Sequence, residues 1–212
     1  MKITSTKDVR TQGLKFLIYG PSGSGKTTLI KTAVNPIIIS SESGLLALSD
    51  VDIPVIEVTT EAQLEEAYQY ALIGKYDTIC IDSISDIAES ILGEFKIKFI
   101  DGRQAYGKTN DIISRYIRLF RDIKGKNVYI TAKEIKVEVN KVVLMQPMMP
   151  GATMTTNMPY YFDLVMRLEA NRKGERMLHT SASFTQVCKD RSNKLDKVEP
   201  AHLANIIEKV LT

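Results

Sequence analysis

The sequence predicts an α/β protein: a mostly parallel sheet flanked by helices on both faces, with an antiparallel hairpin extension toward the C-terminus. Three observations predict it. Short apolar runs at residues 14–19, 37–40, 55–58, 78–81 and 127–131 have the length and composition of buried strands. Segments with helical apolar spacing separate several of them, so those strands are joined by crossovers and lie parallel. After residue 131 the pattern changes to short runs at 135–139, 142–145, 164–168 and 176–179, which read as antiparallel hairpins.

The first strand runs into Gly20-Pro21-Ser22-Gly23-Ser24-Gly25-Lys26-Thr27, followed by Thr28. This is the phosphate-binding pattern G-x-x-x-x-G-K-[ST] between a strand and a helix continuing over residues 28–34. Glycines let the backbone wrap an anion with no Cβ in the way, so successive N–H groups and the helix N-terminus face it. Lys26 is expected on the terminal phosphates. Thr27 is expected to hold Mg²⁺, an ion that takes hard oxygen ligands and is shared between protein and nucleotide. ATP and Mg²⁺ are the cofactors this implies.

Pro36 stops the helical run before the second strand, which a Ser41-Glu42-Ser43-Gly44 turn closes. A helix over 61–73 has Ala62, Leu64, Ala67, Tyr68 and Ala71 as its apolar stripe and Gly74 at its end. The strand at 78–81 ends in Asp82, and a long helix over 84–100 follows. Residues 101–108 are polar and contain Gly102 and Gly107, which predicts an exposed loop. Ile112, Tyr116, Leu119 and Ile123 then place a helix over 110–124, with Arg115, Arg118 and Arg121 on its other face. The last helix starts near Pro200 and presents Leu203, Ile206, Ile207 and Val210. Internal repeats and low-complexity linkers are absent, so the chain reads as one domain, 1–212.

Its 212 residues, 44% hydrophobic, are enough to bury a core. Cys80 and Cys188 have no metal-ligand spacing, and Cys80 reads as core. Residues 1–12 are polar and no apolar run approaches 18 residues, so a signal peptide and a membrane span are not expected and the cytoplasm is. The net charge of +3 is too small to identify a polyanionic partner by itself. Residues 94–126, however, carry nine cations against four anions. That segment is either a solvated helix face or a surface that follows a polyanion.

Further acids and cations complete the candidate chemistry. Asp82, at the C-terminal end of a buried strand, stands where an acid holds the water shell of Mg²⁺. Glu42 follows the second strand, where a carboxylate can orient and deprotonate the attacking water. Thr131 closes the fifth strand and is either a γ-phosphate sensor or a β-branched strand residue. Lys189 and Arg191, at i and i+2 on an extended segment, project to one side and can reach one phosphate, or they end a solvated basic hairpin.

Gly20 to Thr28, Glu42 in its Ser-Glu-Ser-Gly turn, residues 79–83, the Tyr106-Gly107 segment and Lys189-x-Arg191 occur in this order and spacing in RecA-like P-loop NTPases. Over nearly its whole length the chain resembles phage-encoded members that act in single-strand annealing and recombination. The resemblance implies phosphate and magnesium binding by Lys26 and Thr27, a Walker B role for Asp82 and a catalytic base role for Glu42. It implies that Lys189 and Arg191 act as a finger across a subunit interface, in a head-to-tail ring or filament. It also implies single-stranded DNA as partner, with a single-strand binding protein alongside, and the host cytoplasm as location. The DNA-contacting loops would be residues 101–109 and 146–160, with Arg103, Tyr106, Lys108, Met148 and Met149 as contacts. The second loop holds, with Met145 at its edge, five of the eight methionines, which suit an adaptable contact surface or fill irregular core. Where the family places Gln or His after the fifth strand, this chain has Ala132-Lys133-Glu134, so coupling of hydrolysis to DNA does not follow from the match.

The function expected is thus an ATP-dependent protein that binds and anneals single-stranded DNA in homologous recombination. An ATP-gated DNA-binding module with negligible turnover is the alternative. A P-loop kinase for a small acceptor is the third, against which stands the run of hairpins where a helical lid would be.

Overall fold

The computed structural model describes residues 13–41 and 45–212. The polar residues 1–12 and the candidate base Glu42, with Ser43 and Gly44, lie outside the described residues. The elements run β1 Lys15–Gly20, α1 Lys26–Leu29, β2 Pro36–Ser40, β3 Val55–Glu57, α2 Glu61–Ile73, β4 Thr78–Ile81, α3 Ile84–Lys98 and α4 Gly102–Arg121. They continue with β5 Asn127–Val139, β6 Val142–Pro147, α5 Ala152–Asn157, β7 Leu164–Ala170, β8 Arg176–His179, β9 Lys189–Asp190, β10 Val198–Pro200 and α6 Leu203–Leu211. Three-residue and four-residue 3-10 turns extend α1 over Ile30–Thr32 and follow β2 at Leu45–Leu48.

The strands form one sheet in the order β10-β8-β7-β1-β5-β4-β2-β3, with β6 on β5 and β9 on β7. From β3 through β7 every pairing along that order is parallel, whereas β6, β8, β9 and β10 pair antiparallel. The two faces of the sheet bury two separate clusters. Leu17, Tyr19, Ile37, Ile39, Ile79, Ile81, Val128 and Ile130 pack with residues of α2, α3 and α4. Their neighbours Phe16, Ile18, Ile38, Cys80 and Tyr129 pack on the opposite side with α1 and α6. Alternate residues of a strand point to opposite faces, so a strand covered on both must be apolar throughout. Cys80 is therefore core, and burial pushes its thiol pKa up.

Several sequence expectations are corrected. Residues 102–108, expected as a loop, are the first two turns of the twenty-residue α4. Asp101 caps it, its Oδ1 accepting from the Arg103 N–H at 2.9 Å. The core face of these turns is made by Ala105 and Thr109, both fully buried, and such small side chains leave little apolar signal. Residues 127–131 and 135–139, read as two strands, are one thirteen-residue strand, β5, whose far half leaves the sheet to pair with β6. Residues 164–168 do form the expected antiparallel hairpin with 176–179, as β7 with β8, but β7 also pairs antiparallel with β9 and lies parallel to β1 on its other side, which the hairpin pattern did not foretell. Residues 146–160 are not one loop: the end of β6, α5 and a 3-10 turn, Met158–Tyr161, occupy much of the stretch. None of the helices among the described residues is long and apolar enough to cross a membrane.

One buried cation ties the first strand to the end of α4. Lys15, at 4% exposure, donates from Nζ to the carbonyls of Ile123 at 2.9 Å and Lys126 at 2.5 Å. Burial lowers its pKa to about 8, against the opposing pull of Asp163 and Asp122. Because the folded pKa lies below the unfolded value near 10.5, the unfolded chain binds more protons between pH 8 and 10.5. This group therefore adds stability as pH rises through that window. The stability of wild type relative to Lys15→Met should rise by on the order of 2–3 kcal/mol from pH 8 to 10.5 in urea unfolding. A pH-independent difference would remove the assignment.

Candidate functional site

The site is built where β1 hands over to α1. β1 is buried on both faces, and its last residue passes so close to β7 that a Cβ on Gly20 would fall 2.2 Å from the Leu168 carbonyl oxygen. Only glycine fits there. Gly23 at φ +76° and Gly25 at φ +97° adopt left-handed backbone that a side chain would strain. The turn closes with Ser24 N–H donating to the Pro21 carbonyl at 3.2 Å, and α1 begins with Leu29 N–H donating to the Gly25 carbonyl at 2.9 Å.

This loop forms one wall of a cleft of about 520 Å³ lined also by Ser40, Asp82, Asp86, Lys133, Glu134 and Arg176. The Ser24 hydroxyl is buried on the loop without a hydrogen-bond partner. Lys26 Nζ donates to the carbonyls of Gly20 at 2.8 Å and Pro21 at 3.0 Å, so its ammonium lies folded over the loop's own mouth. The Lys26 carbonyl in turn accepts from the buried Tyr129 hydroxyl at 2.8 Å, which pins the first turn of α1 to β5.

Asp82, two strands away across β5, meets the loop directly. Thr27 Oγ1 donates to its Oδ2 at 2.6 Å, and Thr131 Oγ1 donates to its Oδ1. Asp82 is 7% exposed, and a carboxylate so placed has both oxygens oriented by hydroxyls that can turn. Thr27 and Asp82 thus form the hard-oxygen pair that Mg²⁺ takes, and the orphaned Ser24 hydroxyl and glycine cradle fit a phosphate chain. A bound ion would polarise the phosphates and neutralise charge as it develops. Thr131, left open between sensor and strand residue, is a fully buried strand residue that orients Asp82.

The other acids on the cleft are engaged. Glu134 accepts from Arg167 Nε at 2.7 Å, and Asp86 pairs with Lys133 Nζ at 2.5 Å while accepting from the Ser83 hydroxyl. Lys133 also reaches Glu89 at 3.0 Å. Its backbone is stitched to the next segment: Ser85 Oγ accepts from Lys133 N–H at 3.0 Å and donates to the Met148 carbonyl at 2.7 Å. Met148 N–H donates back to the Lys133 carbonyl at 2.8 Å.

The remaining expected residues lie apart from the cleft or change role. Lys189 and Arg191 sit beside the start of β7: Lys189 pairs with Val165, and Arg191 N–H donates to the Asp163 carbonyl. Asp163 N–H donates to the Lys15 carbonyl, so Arg191 lies at the level of the first residue of β1, five residues or about 16 Å from Gly20 by strand rise. Lys189 Nζ donates to the Pro159 carbonyl at 2.6 Å, and Arg191 pairs with Asp163 at 3.5 Å. Burial, and then the Arg191 charge, lowers the Lys189 pKa to about 8. Arg103, Tyr106 and Lys108 are exposed on α4, with Lys96 Nζ 5.3 Å from the centre of the Tyr106 ring. Met149 is buried in the core and its N–H donates to Thr155 Oγ1, so it is not a surface contact; Met148 is half-buried and lines the cleft.

Arg176 and Asp86 are cleft residues that sequence reasoning missed, while Lys133, which the sequence places just after the fifth strand without a role, pairs with Asp86 there. Arg176 belongs to no motif, and only the register of β8 on β7 brings it to the loop. No curated protein sequence matches the chain. A family model described as an AAA domain matches residues 12–192, a family of nucleotide-binding P-loop ATPases that generally use ATP and Mg²⁺. With the phosphate loop, the Thr27–Asp82 pair and the mostly parallel sheet in place across that span, the chain belongs to this AAA-domain family.

Proposed function

We propose that this protein is a RecA-like ATPase that binds single-stranded DNA and promotes annealing in homologous recombination, hydrolysing Mg-ATP at the junctions of a head-to-tail assembly. The observation that carries the reading is the grip of Thr27 and Thr131 on Asp82 beside the glycine cradle. The antiparallel strands β8 and β10 beyond β7 and the order of the motifs favour the RecA-like branch. Glu134 and Asp86 are held by cations, which leaves Glu42 as the base for water. Lys189 is bonded to the Pro159 carbonyl and Arg191 to Asp163, neither of which lines the cleft, so a finger role falls to a neighbouring subunit. Exposed Lys96, Arg103, Tyr106 and Lys108 combine cations with an aromatic ring, the means of sequence-independent single-strand binding.

ATP turnover measured with and without a single-stranded oligonucleotide tests this. Stimulation is expected, and the Arg103→Ala/Lys108→Ala double variant should weaken oligonucleotide binding and flatten its log–log salt slope by about 1–2. A rate indifferent to DNA, with no mobility shift at low salt, would reject the DNA role. Because Lys133 and Glu134 are tied up in ion pairs, a nucleotide-gated module with negligible turnover is the second reading. Glu42→Gln separates the two: it removes a measurable hydrolysis rate under the first and has no rate to remove under the second.

A further inference from the structure

The geometry points to Arg176 as the stacking platform for the purine base of the bound nucleotide, an inference that rests on the nucleotide-site reading above. Arg176 opens β8, where its partner in register is Ala170 at the end of β7, and its carbonyl accepts from the Ala201 N–H at 3.2 Å. The backbone is thus held on both sides while the side chain crosses toward α1. There it lies against the last glycine of the loop: a Cβ on Gly25 would stand 2.2 Å from Arg176 Nε, 2.6 Å from Cδ and 2.8 Å from Cζ. The glycine is needed for this approach as well as for its φ.

Two features assign the base rather than the phosphates to this guanidinium. The first is its flank. Thr27 and Asp82 hold the metal side of the site across β5, whereas β7 and β8 lie on the other side of β1. A triphosphate whose terminal groups are drawn to Lys26 and Asp82 leaves its nucleoside toward the opposite flank, where Arg176 stands. The second is the chemistry of the lining. No aromatic side chain lines the cleft among the described residues; Leu45 and Ala47 give it apolar surface, and Arg176 is its one planar cation. The guanidinium is exposed and has no hydrogen-bond or ion-pair partner among the described residues. A delocalised, weakly hydrated guanidinium stacks on ring faces where an ammonium does not. Stacking reads a flat face and not the base edge, so the platform takes any purine nucleotide.

The test is calorimetric binding of Mg-ATP, Mg-ADP and magnesium tripolyphosphate to wild type, Arg176→Ala, Arg176→Lys and Arg176→Phe, with thermal melts as the folding control. Arg176→Ala should weaken ATP and ADP alike by about 5- to 30-fold and leave tripolyphosphate unchanged. Arg176→Phe should recover most of the loss, and Arg176→Lys little of it. An equal loss for tripolyphosphate, or rescue by lysine alone, would make Arg176 a phosphate ligand and overturn the inference. So would unchanged ATP affinity in Arg176→Ala. Wild type that binds tripolyphosphate as tightly as ATP overturns the base platform alone, whereas wild type that binds neither overturns the nucleotide site itself.

Discussion

Asp82→Asn is expected to lower magnesium-dependent ATP turnover by about 100- to 1,000-fold while changing stability by no more than about 1 kcal/mol. The asymmetry follows from what each oxygen does. Oδ2 accepts from Thr27 and Oδ1 from Thr131, and both donors are hydroxyls. An amide in the same place offers one acceptor and one donor, and the hydroxyl facing the new donor rotates to accept. The hydrogen bonds survive and the folded state is barely altered. The negative charge does not survive, and with it goes the attraction for a divalent cation at an oxygen already aimed at Thr27. Turnover as a function of magnesium concentration, alongside urea unfolding, reads both halves. Full activity of Asp82→Asn at saturating magnesium would take Asp82 out of the metal site; a collapse of stability would mean that the carboxylate serves the core instead.

The second large effect is expected in stability. Arg167→Ala should cost about 3–5 kcal/mol, because it strands Glu134, whose side chain is only 4% exposed. Arg167 Nε holds Glu134 at 2.7 Å from a side chain itself 11% exposed, and Nη1 also reaches Glu169, which His179 Nε2 meets at 3.0 Å. Removing the cation leaves two carboxylates close together, one of them desolvated. The Glu134→Gln/Arg167→Met double variant removes both buried charges and should recover most of the loss, since uncharged groups of similar volume tolerate the site far better. Urea unfolding of Glu134→Gln, Arg167→Met and the double closes the cycle, with Arg167→Ala measured beside them. A single-variant loss below about 1 kcal/mol would show that water reaches the pair.

What was legible in the chain and what was not divides along physical lines. β1, β2, β4 and the near half of β5 were readable because a strand buried on both faces must be continuously apolar, and α2 because its thirteen residues carry the stripe and Gly74 follows them directly. The first turns of α4 were not, since Ala105 and Thr109, though fully buried, are small and resemble loop residues in isolation. β7 was legible as the partner of β8 in a hairpin, whereas its parallel pairing with β1 was not, because a run of seven residues carries no record of a distant partner. The methionines of residues 145–158 look like an adaptable surface in sequence, whereas Met149, Met154 and Met158 fill the core under the 3-10 turn.

At the site, the local motif carried its own evidence. Gly20, Gly23 and Gly25, Lys26 and Thr27 perform their parts within eight consecutive residues, and the backbone chemistry of that turn is decided by which residues lack a Cβ. Sequence alone therefore determined the phosphate-loop turn that follows the first strand. Only the tertiary structure decided what surrounds it: that Thr131 orients Asp82, that Arg167 occupies Glu134, and that Arg176 crosses to Gly25. Those contacts join residues 49, 33 and 151 positions apart in the chain, and they exist only because β5 is inserted between β1 and β4 while β8 folds back along β7. Such register is set by the packing of whole strands, which no short pattern encodes.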